Sequence, residues 1–472
     1  MEVKLKSLLN KLFKIEENQT TIRTEIIAGI TTFFAMCYII LVNPSSMSGA
    51  ANGPIWNACF VGGIIGAVVA TVCMAFIANK PFCLAAGMGL NSFFFVSFIL
   101  PNILDPKMGY QAGLSVILLS GVIFLVLSLT GLRKLIATAL PQCLKAAIPA
   151  GIGLFIAFIG FQNAGIVVVN PYTCVSIADF TKGASVFIPV LTAFLGLIAI
   201  VVFSVVPVKI LNKCSIIFGI LAATVFYYVL SFIFIKDYKL ALESVKLGTV
   251  FKDWAELGLV GAFKGFKPLF DGKTVGSIFT VIMLVITYCL IDMFDTLGTV
   301  YGTATEANML DENGDPENLQ EIMLCDSIGT AVGSCVGTST ITTFVESASG
   351  VAAGGRTGLT AVVTALLFAV CLFVAPVAQF IPGAATAPAL IYVGVLMCKN
   401  IVKVDFNDLR SAAPAFMTFI MMVVTYSITN GIMIGALTYT LITLFTGKFT
   451  KKDIVAAVIA LLGVLRFAFV TM

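Results

Sequence analysis

Residues 337–358 read GTSTITTFVESASGVAAGGRTG, and this stretch decides the fold. It lies between strongly apolar segments, yet it carries the carboxylate of Glu346 and is rich in Thr, Ser and Gly. A carboxylate at membrane depth costs about 3 kcal/mol or more, so it normally faces a cavity, a partner or a substrate. The stretch therefore predicts a broken helix at the centre of a membrane transporter, and the structural alternative is a kinked helix around a buried, protonated Glu346.

The composition assigns the chain to the membrane proteins. It has 472 residues, of which 59% are hydrophobic and 11% are charged, and its mean hydropathy is +1.05. Soluble domains do not have this composition. Apolar stretches of about 17 to 25 residues recur along the chain, and each is long enough to cross a bilayer core of about 30 Å. The expected fold class is an all-α polytopic membrane protein.

Composition also excludes several functions. The net charge of +4 comes without a basic cluster interleaved with aromatic residues, so nucleic acid is not expected as a partner. The 12 Cys are scattered without CxxC spacing and are interpreted as small core residues. The sequence holds no His, so any proton chemistry must use carboxylates. No metal, cofactor or enzyme activity is expected, because no ligand cluster and no pair of nucleophile and base is evident.

The distribution of Lys and Arg predicts the topology. The basic stretch KLKSLLNKLFK lies within residues 1–23 and predicts a cytoplasmic N-terminal segment without a cleavable signal peptide. Fourteen segments are expected, at 24–44, 56–78, 84–100, 110–130, 143–162, 184–206 and 213–235, then at 276–302, 321–337, 341–353, 358–376, 382–398, 411–428 and 431–447. The polar interval between the halves is expected outside. The last apolar run, 453–470, is either a further span or a surface helix.

The two halves resemble each other around their Gly-rich breaks. A constant offset of 263 aligns Gly66 with Gly329 and Gly87 with Gly350 without gaps. Seven segments per half is an odd number, so the two copies would cross the membrane in opposite directions. This pattern predicts two inverted repeats, with the substrate site where broken segments 3 and 10 meet.

The eighth predicted segment contains ITYCLIDMFDTLGTVYG, residues 286–302, in which Asp292 and Asp295 lie on neighbouring positions of one helix face. Two carboxylates at such a spacing are costly to ionise together, which suits a reversible proton carrier. Asp295 is the stronger candidate, because small and polar residues follow it. For Asp292 a role in tying helices together is equally open.

Other polar residues are given structural interpretations. Asp326 is expected to be an interfacial residue at the start of the ninth segment, favoured by the helix dipole. Lys80 and Arg356 are expected to snorkel or to form salt bridges. Asn91 is a buried amide suited to a planar heterocycle. The run of Phe residues at 93–95 is expected to pack, although stacking on a substrate ring is possible.

Four motifs carry a family resemblance: TEIIAGITTFFAMCYIILVNPSSMS (24–48), AAGMGLNSFF (85–94), LIDMFDTLGT (290–299) and GTSTITTFVESASGVAAGGRTGLTAVV (337–363). In this order and spacing the chain resembles the AzgA-like purine permeases of the nucleobase-cation symporter superfamily over essentially its full length. The absence of His fits this branch better than relatives that use a His in the first segment.

The resemblance implies fourteen segments in two inverted repeats. The implied domains are a core domain of residues 24–135 and 275–378, a gate domain of residues 136–236 and 379–472, and an external loop of residues 237–274. The gate domain often forms a homodimer contact in such proteins. The implied activity is proton-driven uptake of adenine, guanine or hypoxanthine across the cell membrane.

The resemblance also assigns site residues. The acidic positions of segments 8 and 10 fall on Asp295 and Glu346, and the third-segment motif falls on Gly89 and Asn91. Our hypothesis is that Glu346 grips the base and Asp295 couples protonation to binding, with the opposite division left open. Asn91 and the backbone amides near Gly89 and Ser347 would complete the site, and Asp292 is a third candidate for proton coupling.

Alternative functions remain on the same fold. A uracil or xanthine permease, or an anion transporter, is the nearest alternative, although an anion carrier would be expected to place positive charge at the site. A channel or a membrane enzyme is less well supported. The preferred purine, the choice between protons and sodium, and the oligomeric state do not follow from the sequence.

Overall fold

The structure is a computed structural model that describes most of the chain. The described residues are 2–49, 52–102, 104–130, 141–170, 172–208, 211–212, 214–235, 247–271, 275, 278–307, 309–310, 316–374, 380–450 and 453–469. Four Lys and Arg residues in the loops between the predicted segments lie outside these ranges, namely Arg133, Lys134, Lys209 and Lys213.

The described chain is mainly helical. Its helices are α1 Glu2–Phe13, α2 Ile22–Met36, α3 Ile39–Ser48, α4 Pro54–Cys73, α5 Met88–Phe94, α6 Pro106–Leu129, α7 Gln142–Asn163, α8 Ala184–Val205, α9 Ser215–Phe234, α10 Leu247–Asp253, α11 Gly261–Lys264, α12 Phe266–Leu269, α13 Ile278–Ala307, α14 Leu319–Val336, α15 Ser347–Ala352, α16 Gly358–Val370, α17 Gly383–Met397, α18 Leu409–Val424, α19 Ile428–Phe445 and α20 Ile454–Phe469. The strands are β1 Leu84–Ala86, β2 Val167–Asn170, β3 Cys174–Ile177 and β4 Ile341–Thr343.

The predicted fold class is confirmed. Within the described ranges, nine helices or continuous helical stretches are long and apolar enough to cross a membrane. The third and tenth predicted segments are each a short strand followed by a short helix, β1 with α5 and β4 with α15, so both are broken as predicted. The count of fourteen segments stays a prediction.

The two broken segments meet through their strands. β1 and β4 pair antiparallel, with Leu84 opposite Thr343 and Ala86 opposite Ile341. The N–H of Phe344 donates to the carbonyl of Cys83 at 3.0 Å and extends the pairing. All six strand residues are buried. Pairing satisfies backbone groups that lipid cannot, so extended chain is tolerated at the centre of the protein.

A threonine hydroxyl hydrogen-bonds to both the N–H and the carbonyl of the first residue of each of these strands. The hydroxyl of Thr71 in α4 accepts from the N–H of Leu84 at 3.0 Å and lies 3.1 Å from its carbonyl. In the same way, the hydroxyl of Thr330 in α14 accepts from the N–H of Ile341 at 3.2 Å and lies 3.3 Å from its carbonyl oxygen. The two halves therefore repeat a side-chain contact as well as a succession of elements.

These equivalences correct the sequence offset of 263. Thr71 matches Thr330, and Gly87 matches Glu346 because each is the residue that precedes its short helix, so the offset is 259 in both cases. The first strand residues, Leu84 and Ile341, differ by 257. The predicted pairing of Gly87 with Gly350 is wrong by about one helical turn.

The remaining helices pack on either side of this centre. α14 packs against α4 and α6, α13 packs against α6, and α16 packs against α2 and α4. α7 packs against α17, α18 and α19. A side chain at Gly153 of α7 would place its Cβ 2.9 Å from the carbonyl oxygen of Gly394 in α17, so glycine allows these two helices to approach closely. In α8 and α9 only 33% and 28% of the most apolar stretch is buried inside the protein, so these helices present their apolar sides outward.

The polar interval between the halves is partly helical where it is described. Residues 247–269 form α10 to α12 and lie against α4, α6 and α14, and we call them the cap. Asn57 donates to Asp253 at 2.7 Å, and the indole N–H of Trp254 donates to the carbonyl of Val336 at 2.7 Å. The cap is thus fixed to the ends of α4 and α14.

The last apolar run forms one helix, α20, which packs against α19. A side chain at Gly463 would place its Cβ 2.7 Å from Cβ of Met433, so the two helices approach closely. The hydroxyl of Tyr439 donates to Asp453 at 2.8 Å and fixes the start of α20.

Candidate functional site

A cavity of about 450 Å³ opens beside the crossing of the broken segments. One wall is formed by the start of α5, by α13, and by the chain from β4 to α15, and the other by α7 and the end of α17. Its lining residues are Gly87, Met88, Gly89, Asp295, Thr299, Thr303, Thr342, Thr343, Phe344, Val345, Glu346 and Ala348 on the first wall, and Pro149, Ile152, Ile156, Val393, Leu396, Met397, Lys399, Asn400 and Lys403 on the second.

Glu346 enters this cavity from the residue just before α15. The hydroxyl of Tyr38 donates to its Oε1 at 2.6 Å. Tyr38 is fully buried and lies between α2 and α3, where the first predicted segment is interrupted. A hydrogen bond to a charged acceptor is short and strong, so Tyr38 fixes the direction of the Glu346 side chain.

Asp295 reaches the cavity from the middle of α13. Thr299 and Thr303 follow at intervals of four residues and line the same wall, so α13 presents a polar stripe along the cavity. The hydroxyl of Thr342 in β4 hydrogen-bonds to Asp295, and Glu346 and Asp326 act on it electrostatically. Two carboxylates, Asp295 and Glu346, are therefore brought to one cavity.

Gly89 lines the cavity at the first turn of α5. A Cβ at this position would lie 2.9 Å from Cγ2 of Ile152 in α7, which is closer than carbon atoms normally approach. A larger residue would force the Ile152 side chain or α5 to shift. Glycine at this position thus allows the close approach of α5 to α7.

Asn91 and Ser347 lie behind the cavity wall, outside its lining. The side-chain amide of Asn91 donates to Oδ1 of Asn43 at 2.9 Å, and its carbonyl oxygen accepts from the hydroxyl of Ser339. The hydroxyl of Ser347 accepts from the N–H of Cys83 at 3.0 Å. Both residues are fully buried and tie the broken segments to each other and to α3.

Asp292 and Asp326 form a reciprocal pair of contacts between α13 and α14. The hydroxyl of Thr330 donates to Asp292 at 2.8 Å, and the hydroxyl of Thr296 donates to Asp326 at 2.7 Å. All four side chains are fully buried. Each helix supplies one Asp followed four residues later by one Thr. The expectation that Asp326 is interfacial is wrong, since it lies in the second turn of α14 at full burial.

The other singled-out residues have structural contacts. Lys80 is buried and forms a salt bridge of 2.6 Å with Glu317, as expected. The guanidinium of Arg356 donates to the carbonyls of Val351 and Gly355, each at 2.8 Å, and so caps the end of α15. Phe93 packs on Tyr288 with ring centroids 5.1 Å apart. None of the residues at 93–95 lines the cavity, which agrees with packing.

Three residues that the sequence analysis missed are Tyr38, Glu25 and Thr343. Tyr38 carries no signal beyond its place in an apolar run. Glu25 is fully buried in α2 and accepts from the chain at the start of α16. Thr343 lines the cavity, and its buried hydroxyl has no hydrogen-bond partner among the described residues. Of these three residues, only Glu25 can be recognised from the sequence, because it is a carboxylate next to an apolar run.

The second wall of the cavity has a polar and an apolar part. Lys399, Asn400 and Lys403 contribute polar groups beyond the end of α17, while Ile152 and Ile156 of α7 give the same wall an apolar surface. In the described part of the chain no group of three or more His, Cys, Asp and Glu is arranged to hold a metal ion.

Broken segments that cross at mid-protein, with a cavity between two groups of membrane helices, define a multi-pass membrane transporter. The chain belongs to the Permease family (Xan_ur_permease), whose model matches residues 23–453. Relatives named as purine permeases confirm the predicted resemblance.

Known proteins resemble the chain over nearly its whole length. Adenine permease AdeP of Escherichia coli is 34% identical over 466 residues, which are 98% of this chain and 96% of that protein. Guanine/hypoxanthine permease PbuO of Bacillus subtilis is 36% identical over 462 residues, covering 96% and 98%. The transmembrane domain of a cyanobacterium bicarbonate transporter, BicA, shares the fold with a TM-score of 0.57 at 16% identity, covering 85% of this chain and 95% of that domain.

Proposed function

We propose that this permease imports purine nucleobases, namely hypoxanthine, guanine or adenine, together with protons. The observation that carries the proposal is one cavity that holds Glu346 and Asp295 between otherwise largely apolar walls. The names of the relatives AdeP and PbuO support a purine as the substrate. The cell membrane, with the N-terminus in the cytoplasm, is the proposed location.

The cavity suits a small heterocycle. A volume of about 450 Å³ lies in the range of small-molecule sites, about 300 to 1,000 Å³. Ile152, Ile156 and Val393 offer apolar contact to the faces of a flat ring. Because Tyr38 occupies Oε1 of Glu346, Oε2 is the oxygen best placed to accept an N–H of the base. Each buried polar group left unpaired costs about 1 to 3 kcal/mol, so this acceptor discriminates between bases.

Asp295 is the proposed proton carrier. It lies on the same cavity wall as Glu346 and is repelled electrostatically by Glu346 and Asp326, so binding a proton here relieves like-charge repulsion. The opposite division of roles between Asp295 and Glu346 is kept as an alternative. Asn91 and Ser347 are proposed to position the broken segments, because their side chains are occupied by protein groups.

Transport is proposed to use an elevator-like movement of the core domain against the gate domain. The two walls of the cavity support this division: α5, α13 and β4 belong to the proposed core, and α7 and α17 to the proposed gate. With a cytoplasmic N-terminus, the end of α17 would face the cytoplasm, so the part of the cavity lined by Lys399 would lie on the cytoplasmic side. The outward-facing apolar sides of α8 and α9 make the gate domain the proposed place for a homodimer contact.

Uptake of labelled hypoxanthine into proteoliposomes under an inward proton gradient tests the proposal, with adenine, guanine, uracil and xanthine as competitors. We expect accumulation above equilibrium that collapses with a protonophore and is blocked by adenine or guanine. Competition by uracil or xanthine alone would indicate a different base. No uptake of any base by correctly inserted protein would overturn the proposal and direct attention to anions such as bicarbonate.

A further inference from the structure

The hydroxyl of Thr330 lies at the meeting point of three groups. It is 2.8 Å from Oδ2 of Asp292, 3.3 Å from the carbonyl oxygen of Ile341 and 3.2 Å from the N–H of Ile341. Thr330 and Asp292 are fully buried, and Ile341 is the first residue of β4. The side chain therefore joins a carboxyl group of α13 to the strand of the tenth segment.

The hydroxyl has one hydrogen to donate and two lone pairs that accept. When Asp292 is ionised, the hydrogen goes to its carboxylate, which is both the nearer and the charged acceptor. When a proton is bound at Oδ2, Asp292 becomes the donor to Thr330, and the hydroxyl hydrogen is released to the carbonyl of Ile341. One proton on Asp292 thus changes the number of hydrogen bonds that hold the start of β4 from one to two.

β4 carries the site residues. Thr342 bonds to Asp295, Thr343 lines the cavity, and Glu346 follows three residues after the strand. A change at the first strand residue therefore acts on the chain that positions Glu346.

We propose that Thr330 is a positioning residue that passes the protonation state of Asp292 to β4 and so to Glu346. The proposal rests on the proposed function, because it supplies one step in the coupling of protons to base binding. It also gives Asp292 a role distinct from that of Asp295, which lies in the cavity itself.

Other titratable groups lie on α13 and on the elements near it, and their effects must be distinguished from that of Asp292. Tyr288 and Asp295 are on the same helix, Asp326 is on the facing helix α14, and Glu346 precedes α15. On α6, which also packs against α13, Tyr110 donates to the carbonyl of Gly337 at 2.6 Å. Asp326 accepts from Thr296 rather than from Thr330, so a change at Thr330 leaves its described contact in place.

The chain contains a matched control in its other half. The Thr71 hydroxyl contacts the N–H and the carbonyl of Leu84 in β1, at 3.0 and 3.1 Å, as Thr330 does with Ile341. In contrast to Thr330, no described contact joins the Thr71 hydroxyl to a carboxylate. Thr71→Val removes the same contact to a strand as Thr330→Val. The difference between the two variants isolates the contact with Asp292.

The experiment compares two activities of Thr330→Val, Thr330→Ser, Thr71→Val and wild type in proteoliposomes. Purine exchange needs no net proton movement, whereas accumulation under a proton gradient does. We expect Thr330→Val to reduce accumulation about tenfold, because losing a hydrogen bond to a charged group changes an equilibrium constant by about that factor. Exchange should fall by less than about threefold. Thr330→Ser should restore accumulation, and Thr71→Val should change both activities by the same factor.

Equal behaviour of Thr330→Val and Thr71→Val would overturn the proposal, as would full accumulation by Thr330→Val. If Thr330→Val does not fold, Asp292→Asn provides the test, because its side-chain amide keeps the size of the carboxyl group and does not titrate. We expect purine affinity in Asp292→Asn to lose part of its dependence on pH, and wild-type dependence would contradict the relay.

Failure of the proposed function would look different, because wild type itself would then accumulate no base. Infrared difference spectra between acid and neutral pH still test the relay in that case. The carboxyl band that disappears in Asp292→Asn should shift in Thr330→Val and remain in place in Thr71→Val. A band that does not shift in Thr330→Val would overturn the relay.

Discussion

At the scale of residues, Tyr38 and Glu346 act as a pair. The 2.6 Å contact between the Tyr38 hydroxyl and Oε1 turns a carboxylate with two equivalent oxygens into one with a preferred free oxygen, Oε2. A flexible carboxylate would accept many donor patterns, whereas a fixed one accepts few. Under the proposed function, selectivity among bases therefore depends on Tyr38, a residue that does not line the cavity.

Glu346→Gln tests the proposed hydrogen bond between Glu346 and the base. The substituted side chain keeps an oxygen that accepts from Tyr38, but the group that faces the base becomes an amide that donates. We expect purine affinity to fall at least about tenfold, since a hydrogen bond to a charged group contributes about 1.5 to 3 kcal/mol. Calorimetric titration of purified protein with hypoxanthine measures the change. Glu16→Gln, on the exposed surface, is the control, and unchanged affinity in Glu346→Gln would refute the assigned role.

Asp295→Asn tests the proposed proton carrier. Asparagine retains the size of the side chain and its contact with Thr342 but cannot bind and release a proton. We expect purine exchange to persist while accumulation under a proton gradient is lost, a reduction of about tenfold or more. Paired measurements of exchange and accumulation in the same proteoliposomes provide the check. Undiminished proton-driven accumulation would move the carrier role to Glu346 or Asp292.

Some of these residues can be predicted from the sequence and others cannot, for physical reasons. A carboxylate in an apolar segment is costly wherever it lies, so the sequence alone indicates Glu346 and Asp295. Asn91 was equally visible, but only the structure shows that Asn43 and Ser339 occupy its amide. A Tyr in an apolar run gives no signal, because a buried hydroxyl finds its partner only through the tertiary fold.

At the scale of elements, Glu25 connects two helices that are far apart in the sequence. Its carboxylate accepts from the backbone N–H groups of Arg356, Thr357 and Thr360, at 2.8, 3.2 and 3.3 Å. The hydroxyls of Thr357 and Thr360 add contacts of 2.9 and 2.7 Å. The first turn of α16 is thus capped by a side chain from α2, which suits the positive end of its dipole.

Glu25→Ala should destabilise the protein without touching the cavity. Removal of the carboxylate leaves several buried donors unpaired, and each costs about 1 to 3 kcal/mol. We expect the midpoint of thermal unfolding in detergent to fall by several degrees, measured by intrinsic fluorescence. Glu16→Ala removes a carboxylate of equal size from the surface and should leave the midpoint unchanged. Equal midpoints for the two variants would show that water or another group replaces the cap.

The repeat shows how sequence and structure differ at this scale. An offset of 263 aligns Gly66 with Gly329 and Gly87 with Gly350, whereas the structural offset at Thr71 and Thr330 is 259. A slip of four residues is about one helical turn, which keeps small residues on the same helix face. Small-residue patterns therefore cannot fix the alignment. The strand contacts of Thr71 and Thr330 can, because they join specific atoms.

At the scale of the whole molecule, the cavity lies between helices that must separate if transport follows the elevator-like movement. Thr303 of α13 and Lys403, beyond the end of α17, line opposite walls of the cavity. The cap, in contrast, bonds to α4 and α14 on the core side through Asp253 and Trp254. These contacts predict which parts travel together: the cap moves with the core domain, and α17 does not.

Chemical cross-links test this division. The pair Thr303→Cys and Lys403→Cys, bridged by a flexible bismaleimide, should abolish purine transport because it joins the two moving bodies. The pair Asn57→Cys and Asp253→Cys should leave transport at the level of the uncross-linked protein, because it joins two parts of one body. The exposed and half-buried native cysteines are first replaced by serine, and these are Cys37, Cys73, Cys174, Cys335, Cys371 and Cys398.

The two cross-links give separate information, because each constrains a different boundary. Transport that survives the link from Thr303 to Lys403 would mean that the walls of the cavity do not slide past each other, and a smaller gating motion would replace the elevator. Transport that stops with the link from Asn57 to Asp253 would mean that the cap must leave α4 during the cycle, although a 2.7 Å hydrogen bond joins them here. Only the combination of one blocked and one active cross-linked protein fits a core domain that carries its cap along the gate.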